Sequence, residues 1–161
     1  MVYVVRHAER QDDSNDTPLS AAGAARATAL ADSLARWGLP DALYSTRYLR
    51  TQNTAAPTAA RAGKAVEPYG GSRDAAADAR ALVERVRTLA PGRRALLVGH
   101  SNTVPTLLNA FDGGTRPDLD AADYDGVYLV TLHRTGPGAS AVRATVRRVR
   151  FGADDGTPDP R

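Results

Sequence analysis

The chain begins with Val2-Tyr3-Val4-Val5, a short apolar run of β-forming residues that stops abruptly at Arg6-His7-Ala8-Glu9. A second run of the same form, Ala95-Leu96-Leu97-Val98-Gly99, stops at His100-Ser101. Runs like these predict strands buried on both faces, whose C-terminal ends deliver polar groups into a crevice. Between them the period turns helical. Ser20 is placed to cap a helix whose Ala27, Leu30, Ala31, Leu34 and Trp37 form an apolar stripe, ended by Gly38 and Pro40. Ala42 to Ser45 predicts a second strand, Leu49 to Ala62 a helix carrying Pro57, and Lys64 to Pro68 a short third strand. Asp74 to Ala90 predicts an amphipathic helix with Leu82, Val83, Val86 and Leu89 inward, stopped by Pro91-Gly92. Thr103 to Ala110 predicts a short helix with Pro105 in its first turn, where proline is tolerated. After a loop from Phe111 to Asp125, Val127 to His133 and Ala141 to Phe151 predict two strands, joined through Gly136-Pro137-Gly138 as an antiparallel hairpin.

Strands alternating with helices, then a terminal hairpin, predict an α/β three-layer sandwich. Its central sheet is mostly parallel, with an antiparallel C-terminal hairpin and helices on both faces. One domain over residues 1–152 is expected, with 153–161 as a disordered tail. In such sheets ligands sit beyond the C-terminal strand ends, at a switch in strand order. His7 and His100 both fall there.

Composition narrows the chemistry. Apolar content of 42% and charged content of 24% over 161 residues are ordinary for a soluble globular domain. There is no cysteine, which excludes disulfides, thiolate catalysis and cysteine zinc sites. A formal charge of +3 is too small to argue for nucleic-acid binding. The arginines from Arg143 to Arg150 alternate with Ala144, Val146 and Val149 and predict a strand with one wet face. No stretch reaches the roughly 18 apolar residues of a membrane span, and the early charge at Arg6 is unlike a signal peptide. A cytoplasmic location without nucleic-acid or membrane partners is expected, a leader removed beforehand aside. No glycine-rich nucleotide loop occurs, so neither ATP nor NAD nor another cofactor is implied. His7-Ala8-Glu9 echoes the His-x-Glu of zinc deaminases, but the cysteine half of that site is missing, and no metal is expected. His133, late in a strand, reads as a hairpin surface residue.

Two imidazoles and an arginine in one crevice form a pocket for a tetrahedral dianion, because guanidinium forks match phosphate oxygens. A neutral imidazole needs no deprotonation to attack phosphorus. The amides of Ser101, Asn102 and Thr103 would add a helix N-terminus to the same pocket.

These residues carry a resemblance. Arg6-His7-Ala8-Glu9 resembles the Arg-His-Gly/Ala-Glu signature of the histidine phosphatase superfamily, which includes phosphoglycerate mutases and phosphohistidine phosphatases. Leu19-Ser20-Ala21-Ala22-Gly23 with Arg26-Ala27 is similar to its first helix start. Tyr44-Ser45 with Arg50-Thr51-Gln52-Asn53-Thr54-Ala55 is similar to the element bearing the second phosphate-binding arginine. Val98-Gly99-His100-Ser101-Asn102-Thr103-Val104-Pro105 resembles the element with the second histidine, and Tyr124-Asp125 resembles a small bacterial branch.

The resemblance implies His7 as the nucleophile that becomes phosphohistidine, with Arg6, Arg50, His100 and Ser101 around the phosphoryl group. Arg47 competes with Arg50, which Thr54-Ala55 favours by spacing. The resemblance also implies an acidic proton donor between Arg50 and His100, where Glu67, Asp74, Asp78 and Glu84 stand. Asp74 is the candidate because it follows the third strand and a Gly-Gly turn, although aspartate there also suits a first helical turn. Glu9 could instead assist, or orient Arg6. An imidazole leaving group would need less acid help. The implied activity is a metal-independent phosphomonoester hydrolase acting on a phosphorylated small molecule or phosphoprotein. Ala55 to Ala95 holds too little chain for a large lid, which favours hydrolysis over a mutase reaction. The alternative is a non-catalytic phosphate-binding or sensing domain.

Overall fold

In the computed structural model, which describes residues 1–136 and 142–151, ten elements alternate as the pattern predicts. They are β1 (Val2–Arg6), α1 (Ala21–Trp37), β2 (Ala42–Ser45), α2 (Leu49–Ala62), β3 (Val66–Pro68), α3 (Ala75–Arg87), β4 (Ala95–Gly99), α4 (Thr103–Asp112), β5 (Gly126–Arg134) and β6 (Val142–Arg150). The strands form one six-stranded sheet in the order β3-β2-β4-β1-β5-β6. β3, β2, β4 and β1 are mutually parallel, while β5 runs antiparallel to β1, and β6 to β5. The Gly136-Pro137-Gly138 turn falls partly, and the tail at 153–161 wholly, outside the described residues.

The apolar runs are buried on both faces because they occupy the middle of this sheet. Val2 and Val4 of β1, with Ala95 and Leu97 of β4, pack against Leu82, Val83 and Val86 of α3 and Leu107, Leu108 and Phe111 of α4. Tyr3 and Val5, with Leu96 and Val98, pack on the opposite face against Leu30 and Leu34 of α1 and Ala55 and Ala59 of α2. The period-2 alternation of strands thus feeds two separate apolar layers, which makes three layers in all. α4 runs through Asp112, two residues beyond the predicted end, because Phe111 is buried and continues the apolar stripe. α3 starts at Ala75, with the Asp74 carboxylate accepting from the Ala77 amide as its N-cap, and ends at Arg87.

The strand order decides where a ligand fits. β1 hands the chain to β2 across β4, whereas β4 hands it back past β1 to β5. These neighbouring strands part in opposite directions at their C-terminal ends, and a crevice opens between His7 and His100. No helix among the described residues is long and apolar enough to cross a membrane.

Candidate functional site

His7 sits one residue past β1, where its amide donates to the Gly99 carbonyl at 2.9 Å and so extends the β1–β4 pairing. This locks the two histidine-bearing strand ends together, and the imidazoles of His7 and His100 meet edge-on with centroids 5.3 Å apart. His7 is buried, and its Nδ1 lies 2.8 Å from the Ala8 carbonyl, an acceptor only. The ring proton therefore belongs on Nδ1, and Nε2 keeps its lone pair. The Ala8 amide in turn donates to Thr54 Oγ1 at 3.0 Å, and that hydroxyl donates to the Arg50 carbonyl at 2.7 Å. Thr54 thus ties the loop of His7 to the helix that carries Arg50.

Glycine is required just behind this loop. The Glu9 carbonyl accepts from the Ser20 amide at 2.9 Å, and a Cβ on Gly23 would lie 2.1 Å from the same oxygen. α1 can approach the histidine loop this closely only through Gly23. Glu9 itself is engaged by α1. Both of its carboxylate oxygens lie 2.8 Å from Arg26 Nε. Burial pushes this carboxyl up, but the hydrogen bonds from Arg26 outweigh that and hold it below its ordinary value.

Arg6, Arg50, His7, His100 and Ser101 line one cavity of about 430 Å³, together with Arg10, Tyr48, Asn102 and Thr103. Three guanidinium groups surround two imidazoles, and no carboxylate is among the lining residues. Arg6 is held by the loop before β5. Its Nη1 donates to the carbonyls of Asp120 at 2.9 Å and Ala121 at 3.0 Å. Its guanidinium lies 4.1 Å from the centroid of the Tyr124 ring, while its Nε is buried with no hydrogen-bond partner. Arg50 donates from Nη1 to the Asn15 carbonyl at 2.9 Å and lies over the Tyr48 ring at 4.4 Å. Arg10 pairs with Asp13 at 2.6 Å.

Burial is the largest cause of the weakened basicity of both imidazoles. His7 is pushed from 6.5 down to about 4 by burial, with Arg6, Arg50 and Arg10 adding to the effect and the Ala8 carbonyl opposing it. His100 is pushed to about 3 by burial and then by His7, Arg50 and Arg6. Both rings are neutral at pH 7. His100 Nε2 lies 2.9 Å from Thr46 Oγ1, which is 2.8 Å from Thr51 Oγ1, and the Tyr48 ring meets the His100 ring edge-on at 5.3 Å.

Asp74 is not part of this cavity. Its side chain is exposed, accepts from Ala77 N at 2.9 Å and lies 3.9 Å from Arg80, so it serves α3 as a cap. Arg47 lies beside rather than in the arginine cavity. It lines a second cavity of about 220 Å³ that shares Tyr48, His100 and Thr103 with the first, and the carboxylate there is Asp78. His133 sits on the exposed hairpin, 3.1 Å from Thr145 Oγ1. Sequence reasoning missed Arg10, Thr46 and Tyr48. Arg10 had a signal, being a cation three residues after His7; the other two are visible only once β2 lies beside β4.

Residues 2–74 match the family model described as histidine phosphatase superfamily (branch 1). This part of the chain is similar to the histidine phosphatase superfamily. No curated protein matches it by sequence. Among solved structures, a mycobacterial glucosyl-3-phosphoglycerate phosphatase superposes with a TM-score of 0.73 at 19% identity, covering 94% of this chain and 99% of that one. The protein histidine phosphatase SixA, solved with tungstate, gives 0.66 at 19% identity over 92% and 96%. YhfR of Bacillus stearothermophilus gives 0.65 at 18% identity over 82% and 91%. The histidine phosphatase fold thus extends across the described domain.

Proposed function

We propose that this protein is a phosphomonoester hydrolase that works through a phosphohistidine on His7. The observation that carries this is a pair of neutral imidazoles 5.3 Å apart inside a cavity walled by Arg6, Arg10 and Arg50. A phosphoryl dianion in that cavity has the guanidinium groups of Arg6, Arg10 and Arg50 as donors for its oxygens. His7 Nε2 attacks phosphorus, and the bond from phosphorus to the ester oxygen breaks as that oxygen takes a proton. Water then attacks the phosphohistidine, losing a proton, and inorganic phosphate leaves with His7 neutral again. The arginines neutralise the equatorial oxygens in both steps, which is most of what phosphoryl transfer demands. A phosphorylated small molecule or phosphoprotein is the expected substrate class. The relatives of the same fold include a phosphatase of a sugar phosphoglycerate and one of protein phosphohistidine, which supports hydrolysis without choosing between them.

A second reading, a phosphate-binding domain without turnover, is favoured by one feature: no carboxylate lines the arginine cavity. Hydrolysis of p-nitrophenyl phosphate in EDTA, by wild type and His7→Ala, separates the two. Expected are turnover by wild type only, and an acid-labile phosphoryl group on wild type after quenching. Equal inertness of both proteins, with phosphate still bound, would overturn the enzyme reading in favour of the sensor.

A further inference from the structure

The geometry points to a specific occupant for the 220 Å³ cavity beside His100: a single aromatic ring on the ester side of the substrate. The assignment rests on the phosphomonoester reading for the phosphoryl end. The two cavities meet at Tyr48, His100 and Thr103, so a phosphoryl group held by the arginines leads its ester substituent past the His100 ring into the second space. That space is smaller than the about 300–1,000 Å³ typical of pockets for drug-sized ligands, which suits one ring.

Its walls select among small substituents. Tyr48, Tyr69, Ala75, Ala79 and Leu107 supply apolar surface, two of them as aromatic rings. The threonine and serine hydroxyls that also line it are already engaged. Thr46 Oγ1 lies 2.9 Å from His100 Nε2, Thr103 Oγ1 accepts from the His100 amide at 2.7 Å, and Ser72 Oγ accepts from the Asp74 amide at 3.1 Å. Tyr69 is fixed from two sides, its amide donating to Ser45 at 2.9 Å and its hydroxyl to Val98 at 3.4 Å. Asp78 spends one oxygen on the Ser72 amide at 3.1 Å. A polyhydroxylated substituent entering here would meet Arg47 and the other oxygen of Asp78, but five mainly apolar side chains besides, and would recover only part of the hydrogen bonds it gives up to water. An aromatic ring would lose little and gain contact with Tyr48 and Tyr69.

Non-hydrolysable phosphonates test this without relying on turnover. Titration calorimetry would compare benzylphosphonate, methylphosphonate and 2,3-dihydroxypropylphosphonate on wild type and on Ala75→Trp. Ala75 is exposed at the start of α3 and lines the second cavity but not the arginine cavity, so tryptophan there would narrow the second cavity. Expected is an about tenfold or greater preference of wild type for the benzyl compound over both others. Ala75→Trp should erase that preference while inorganic phosphate binds as before. In wild type, nuclear Overhauser contacts from the benzyl ring to the Ala75 methyl locate it independently of the variant. Equal affinities for the three phosphonates, or a benzyl preference that survives Ala75→Trp, would overturn the assignment. A benzyl preference with no phosphohistidine ever formed on His7 would instead sink the hydrolase reading and leave this subsite standing.

Discussion

Acidification from pH 7.5 to 5.0 should destabilise this protein through its two site histidines. In the native state His7 and His100 stay neutral at pH 5, because their pKa values are lowered to about 4 and about 3. In the unfolded chain both return to about 6.5 and are almost fully protonated at pH 5. The unfolded state then binds two more protons than the native one, so stability is full above about 6.5 and falls as pH drops toward the native values. At 1.36 kcal/mol per pH unit, the drop from 6.5 to 5 costs about 2 kcal/mol for each ring, about 4 kcal/mol for the pair. Glu9, Asp41 and Asp112 have carboxyls lowered from already acidic values, and their contributions fade only below about pH 4.5. The Met1 amine, lowered from its ordinary value by burial and then by Arg94, is common to wild type and variant. Urea unfolding of wild type and of His7→Gln/His100→Gln, in buffers without phosphate, isolates the effect. Wild type should lose about 4 kcal/mol more than the double variant between the two pH values. Equal losses would show that the rings are not held neutral by burial, and the electrostatic account of His7 and His100 would fail with them.

Two further outcomes test how the site is supported. Gly23→Ala should cost about 1–3 kcal/mol in thermal or urea unfolding, because its Cβ would meet the Glu9 carbonyl at 2.1 Å; an unchanged midpoint would mean α1 can back away from the histidine loop. Tyr124→Ala should weaken inorganic phosphate binding about tenfold by releasing the face of the Arg6 guanidinium, while Tyr124→Phe keeps the ring and should cost less than about threefold. Equal losses in the two would assign the hold on Arg6 to the 3.3 Å contact with the Tyr124 hydroxyl.

The parts of this fold that could be read in the sequence are those where one local pattern meets one environment. β1 and β4 are apolar throughout because both faces are covered, and α1 shows its stripe because one side meets the sheet. His7, Arg6, Arg50 and His100 were legible because each stands at the end or start of such an element. Asp74 shows the limit of that logic. A carboxylate after a turn suits a proton donor and a helix cap equally, and the side chain took the cap, which satisfies an otherwise orphaned amide. Asp78, one turn further on, faces the second cavity but looks in sequence like any first-turn acid. The contacts that hold the site hardest to foresee were those between distant loops: the grip of Asp120 and Ala121 on Arg6 spans 114 and 115 residues of chain. The basic strand β6 proved to be a sheet edge, with Arg148 paired to Asp123 at 2.7 Å.

That long-range grip has a kinetic meaning. Contacts so far apart in sequence carry a large loop-closure cost and form only when the intervening chain has found its place. β1 is made before the loop that grips it, and Arg6 is seated by carbonyls made more than a hundred residues later. A partly synthesised or partly folded chain therefore displays the signature residues without a working anion hold. Under the proposed function, phosphate would bind only the finished state and so draw late folding events to their end by mass action.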